Sequence, residues 1–138
     1  MSGVAGVTGG PRLNAIGIVT SDLAASLEFY RGLGLTIADT PADAPHAEAE
    51  LEGGLRLMWD AVATVQSFDA SYRVPTGSHR VALAFEVDSP ERVDSVFASL
   101  VAQGATGHVP PFDAVWGQRY AVLHDPDGNA VDLYAALG

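Results

Sequence analysis

The chain has 138 residues, no cysteine, and 17 Asp+Glu against seven Lys+Arg, all seven of them arginine, for a formal net charge of −10. The length suits one compact domain, and 48% apolar residues mark it as globular. Without cysteine or lysine there is no disulfide framework, thiolate nucleophile, zinc-thiolate site, Schiff base or Walker-type lysine; the charge argues against nucleic acid or an anionic membrane surface as partner.

The first twelve residues, MSGVAGVTGGPR, are small and Gly-rich, with neither the basic start nor the apolar core of a signal peptide. They read as a loose tail. No apolar run approaches the roughly 18 residues of a membrane span, so a cytoplasmic, membrane-free protein is expected. LNAIGIV (13–19) is apolar and β-branched enough for a buried strand. A helix follows, capped by Ser21 or Asp22, with Leu23, Leu27 and Tyr30 on one face and Gly32 and Gly34 closing it. Residues 35–65 read as two or three strands, with a Gly53-Gly54 turn before Leu55, Leu57 and Trp59. Glu48, Glu50 and Glu52 fall on one solvated face.

Residues 61–78 are a connector, after which the pattern restarts. RVALAFEV is a strand. DSPERVDSVFASLVAQG is a helix with Ser89 as cap, Pro90 at its first position and Gly104 after its end. Two further strands, WGQRYAVLH and NAVDLYA, are joined by the strong turn sequence DPDG. The chain is thus a strand, a helix and a run of strands, performed twice. A single α+β domain is expected over 13–138, built from modules at about 13–74 and 79–138.

The segments SDLAASLEFYRGLGL and HDPDGNAVDLY, within a duplicated βαβββ unit, resemble the vicinal oxygen chelate superfamily of glyoxalase I, extradiol dioxygenases and bleomycin-binding proteins. The resemblance implies two βαβββ modules forming an open curled barrel around a ligand pocket, usually in a homodimer. In the metal-dependent members the ligands come from the first and last strands of each module. By motif those positions are Ala15, Leu57, Arg80 and Asp132, which leaves one carboxylate where about three donors are needed. His79 is one residue off, and one step along a strand changes its face. No metal and no cofactor are therefore expected. An Arg80–Asp132 ion pair is the simpler reading of those two residues.

The aromatic residues point to binding instead. Trp116, Gln118, Tyr120 and Val122 share a strand face by period two, with Phe112 just upstream. Trp59 lies two residues beyond Leu57 on the same, pocket-facing side of its strand, and Tyr134 takes the equivalent place after Asp132. Such rings hold flat ligands by stacking. The stretches APHAEAELEGGLRLMWDAVATV, PTGSHRVALAFEV and AVWGQRYAVLHDPDGNAVDLYA resemble the mitomycin-resistance type within the superfamily, whose members sequester a drug without metal. That resemblance adds His46 and Trp116 as ligand contacts. The expected ligand-binding set is His46, Trp59, Phe112, Trp116, Gln118 and Tyr120. The expected partner is a small-molecule antibiotic of mitomycin, bleomycin or enediyne type, held by a homodimer. The competing reading is a glyoxalase- or dioxygenase-type enzyme using Asp132, His79 or His46. His108, His124 and Arg119 read as rim, turn or outward-facing residues.

Overall fold

The computed structural model describes residues 9–138. Met1–Thr8 of the expected tail lie outside the described residues, and Gly9–Arg12 are exposed. The first module runs β1 (Ala15–Thr20), α1 (Leu23–Leu33), β2 (His46–Glu50) and β3 (Arg56–Ala61). A short helix, α2 (Val62–Gln66), lies in the expected connector. The second module runs β4 (Ala82–Glu86), α3 (Pro90–Ala102), β5 (Thr106–Asp113), β6 (Gln118–His124) and β7 (Ala130–Ala136).

The two sheets have orders β1-β3-β2 and β4-β7-β6-β5. In each, the first strand is parallel to the last (β1 with β3, β4 with β7), and the remaining pairs are antiparallel. The shared order β1-β3-β2 and β4-β7-β6 is the repeat seen in the sequence. The second module is a complete βαβββ unit, whereas the first has no counterpart of β5. At the corresponding place Arg31 donates to the carbonyls of Ile37 and Ala38, at 3.1 and 2.6 Å. Those acceptors are thereby taken up by a side chain rather than by a neighbouring strand.

The second sheet has one strand more than the sequence patterning suggests after α3. Strand β5 contains Pro110 and Pro111 and carries register shifts on both sides of Val109. Proline cannot donate to a ladder, so it survives here because β5 is an edge strand with bulges.

Both helices start as their caps dictate. Asp22 accepts from the Ala25 amide at 3.1 Å, and Ser89 from the Arg92 amide at 3.2 Å. Each helix covers one face of its sheet. Leu57 and Trp59 of β3 and Val131, Leu133 and Ala135 of β7 are buried, together with Leu27 and Tyr30 of α1 and Val93 and Leu100 of α3. The helices meet where a side chain at Gly32 would run within 2.9 Å of Leu100. The alternate strand residues face away from the helices and remain partly open. The sheets do not close into a barrel.

Candidate functional site

The turn that carries the DPDG signature is a structural anchor. Asp125 is 3% exposed and accepts from the Tyr30 hydroxyl at 2.8 Å and from the Asp127 amide, the Asn129 amide and the Asn129 side chain, each at 2.9 Å. Burial, followed by the Asp125 charge, pushes the Tyr30 phenol far above its ordinary range and keeps it a donor. Asp127 in turn accepts from the Ser21 amide at 2.9 Å. The signature therefore ties the start of α1 in one module to the last hairpin of the other.

On the open face of the second sheet, β5, β6 and β7 bring four rings together. Phe112 stands beside Tyr120, and Tyr120 beside Tyr134, by strand register. Trp116 comes from the β5–β6 turn, which Gly117 makes possible at φ 92°. Trp116 lies edge-on to Tyr120 at 5.4 Å between centroids and to Phe112 at 6.2 Å. Phe112 and Tyr120 are 6.3 Å apart, and Tyr120 and Tyr134 are stacked at 6.4 Å. The Trp116 indole donates to the Gln118 side-chain oxygen Oε1 at 2.8 Å, which fixes the ring while leaving Trp116 59% exposed. Tyr120 donates to Asp132. Burial and that bond push the Tyr120 phenol up to about 12, so it remains protonated.

Phe112, Trp116, Gln118, Tyr120 and Asp132 thus share one face. Three expected residues, Trp59, Arg80 and His46, do not. Trp59 is fully buried and packs edge-on against Tyr30 at 5.4 Å. With Leu57 it points under α1, which corrects the expectation that both face a ligand. The reason is a one-residue offset in the repeat. Met58 pairs with Gly17 of β1 as Asp132 pairs with Ala84 of β4, so Met58 and not Leu57 is the counterpart of Asp132. Arg80 precedes β4 by two residues and lies about 13 Å along the strand direction from the level of Asp132. Asp132 binds Tyr120 in place of the expected Arg80.

His46 opens β2 on the other sheet. Its Nδ1 lies 2.6 Å from Asp60 and its Nε2 2.8 Å from Glu48, which also binds Arg56 at 2.6 Å. Hydrogen bonds to Asp60 and then Glu48 raise the His46 pKa, and the same contact lowers that of Glu48. Both ring nitrogens are already engaged within this charged chain.

A grouping that linear spacing does not show lies at the far end of β6. The His108 and His124 rings stack at 4.2 Å, and His79 stands edge-on to His124 at 6.4 Å. The bulge in β5 and the small Ala130 beside His124 permit the approach. Burial, then His108 and His79, lower the His124 pKa. Stacked rings do not aim their nitrogens at one point. Among the described residues, no group of three or more His, Asp or Glu side chains could hold a metal ion. The residues present do not fit the metal of the metal-dependent relatives, with Met58 and the alanines Ala15 and Ala84 on the faces where donors would be needed.

Two cavities lie elsewhere. One, of about 300 Å³, sits between α1, the end of α3 and the Asp125–Pro126 turn. The other, of about 260 Å³, fills the seam between the β1 and β4 edges beneath Tyr72, Val74 and Pro75. Neither is lined by the four rings, which form an open platform. No helix among the described residues is long and apolar enough to cross a membrane.

A protein from Burkholderia phytofirmans PsJN, described as a glyoxalase/bleomycin resistance protein/dioxygenase family enzyme, is 24% identical with a TM-score of 0.79, over 92% of this chain and 100% of its own. A glyoxalase/bleomycin resistance protein/dioxygenase from Nocardioides is 28% identical with a TM-score of 0.72, over 92% and 84%. A glyoxalase-related enzyme from Fulvimarina pelagi is 24% identical with a TM-score of 0.76, over 90% and 87%. No curated relative matches the chain. The family model of the Glyoxalase/Bleomycin resistance protein/Dioxygenase superfamily matches residues 12–133, which span both modules and the DPDG turn. That match, over most of the chain, establishes that it belongs to this superfamily.

Proposed function

We propose that the chain is a metal-independent binding protein that sequesters a planar natural product of mitomycin, bleomycin or enediyne type, and that it acts as a cytoplasmic homodimer. The observation that carries this reading is the ring platform. An indole 59% exposed, oriented by Gln118 and walled by Phe112 and Tyr120, is arranged to meet a flat molecule. Each aromatic contact adds about 0.5–1.5 kcal/mol beyond the apolar area it buries. A drug-sized ligand is normally held with most of its surface covered. One open sheet covers a single side, so a second copy of the chain supplies the other wall. The exposed Val115 and Trp116 support this. In this arrangement His46 would contribute from the first sheet only by releasing Glu48 or Asp60. The resemblance of AVWGQRY to the mitomycin-resistance type supports the same ligand class.

The test is titration of tryptophan emission and heat with one compound of each class. Binding is expected to change the emission of Trp116 while buried Trp59 serves as an internal reference, and Trp116→Ala is expected to abolish binding with little change in Tm. No emission change and no heat with all three compounds overturns the reading. The Tyr120–Asp132 pair favours one alternative, a glyoxalase- or dioxygenase-type enzyme in which the phenol and carboxylate exchange a proton with substrate. Stoichiometric metal in protein purified without chelator, or turnover lost in Asp132→Asn, selects that alternative.

A further inference from the structure

The charges around the platform restrict what kind of planar ligand it takes. Two carboxylates share its face: Asp132, between Tyr120 and the β4 strand, and Glu86, in register with Tyr134. One Asp132 oxygen accepts from Tyr120, and among the described residues no donor binds the other. The nearest arginine in sequence, Arg119, points to the opposite face, where it is held by Asp94 at 2.9 Å and Asp113 at 3.0 Å. His124 lies four residues along β6 from Tyr120, about 13 Å away, beside His108 and His79. The platform therefore combines electron-rich ring faces with carboxylates, and among the described residues no arginine or histidine forms an ion pair with Asp132 or Glu86. Ring faces attract cations through their quadrupole, and a carboxylate at the edge of the same surface adds a direct charge partner.

We infer that the Phe112–Trp116–Tyr120–Tyr134 platform selects planar ligands that carry a positive charge, an aromatic or alkyl ammonium group, with Asp132 as the counter-ion. This inference rests on the stacking function proposed above and adds the charge of the ligand to it. A neutral ring would gain the stacking alone, and an anionic ring would meet two carboxylates. The net charge of −10 raises the local concentration of such cations and speeds their encounter.

The experiment is calorimetric titration of the full chain at pH 8 with three matched probes: N-methylquinolinium as the fixed cation, quinoline as the neutral ring, and quinoline-4-carboxylate as the anion. The cation is expected to bind about tenfold more tightly than the neutral ring, and the anion most weakly. In Asp132→Asn, whose side-chain oxygen still accepts from Tyr120, the cation-to-neutral ratio is expected to fall to about threefold, the remainder coming from the ring faces and Glu86. Glu86→Gln is expected to lower the ratio less, being at the exposed edge. Equal binding of cation and neutral ring overturns the charge selection and leaves the stacking function standing. A ratio undiminished in Asp132→Asn also overturns it. Binding of none of the three probes overturns both.

Discussion

The two tryptophans show how one residue type takes opposite roles according to whether it lies under a helix or on a turn at the open face. Trp59 sits fully buried against Tyr30, so Trp59→Ala removes core volume and is expected to cost about 3–5 kcal/mol in chemical denaturation. Trp116→Ala, at a half-open position, is expected to cost under about 1 kcal/mol on the same assay. Equal losses at the two sites would contradict the placement. His46 makes a second residue-scale prediction. Its pKa is raised by Asp60 and Glu48, so protonation and folding favour each other. The stabilisation is full below the unfolded value near 6.5 and is lost as pH rises through the folded value. NMR titration of His46 is expected to give a midpoint above 6.5, and Asp60→Asn to lower it. At this scale the sequence grouped Trp116, Gln118 and Tyr120 by period two, with Phe112 just upstream. It did not reveal that Trp59 is core, because alternation fixes only which residues share a face. The side on which the helix lands chooses the buried one.

At the scale of elements, the last hairpin and α1 are locked by one buried carboxylate. Asp125→Ala leaves the Tyr30 hydroxyl buried without its acceptor and frees the turn amides of Asp127 and Asn129. It is expected to destabilise the protein by about 3 kcal/mol, and Tyr30→Phe by about 1–2, in urea unfolding. A loss confined to ligand binding would argue instead for a direct role of the turn. The signature DPDGN was legible as a turn, but its long-range bond to Tyr30 was not, because that bond joins residues 95 apart in the chain. Strand β5 escaped the same reading because Pro110 and Pro111 are strand breakers everywhere except at an edge or bulge. The stretch after α1 read as a strand by its apolar content, yet Arg31 occupies its carbonyls.

For the whole molecule, the open platform and the exposed Val115 lead to a prediction about assembly. Sedimentation is expected to give the mass of two chains, and Val115→Glu to shift it toward one, since a buried charge without a partner is costly. A monomer at all concentrations would remove the second wall of the proposed site. The amino-acid sequence by itself determined much that stands: a cysteine-free, lysine-free, acidic chain by composition, a strand–helix–strands repeat by patterning, and through the motifs the fold class. Repeat, cap and turn signals are local, and local signals survive in one dimension. Tertiary structure alone decided that Asp132 binds Tyr120 and not Arg80, that Met58 holds the position expected for Leu57, and that His79, His108 and His124 meet. Each of these depends on how the strands are aligned against their neighbours. A one-residue shift there exchanges the core face for the open one, and residue spacing carries no record of it.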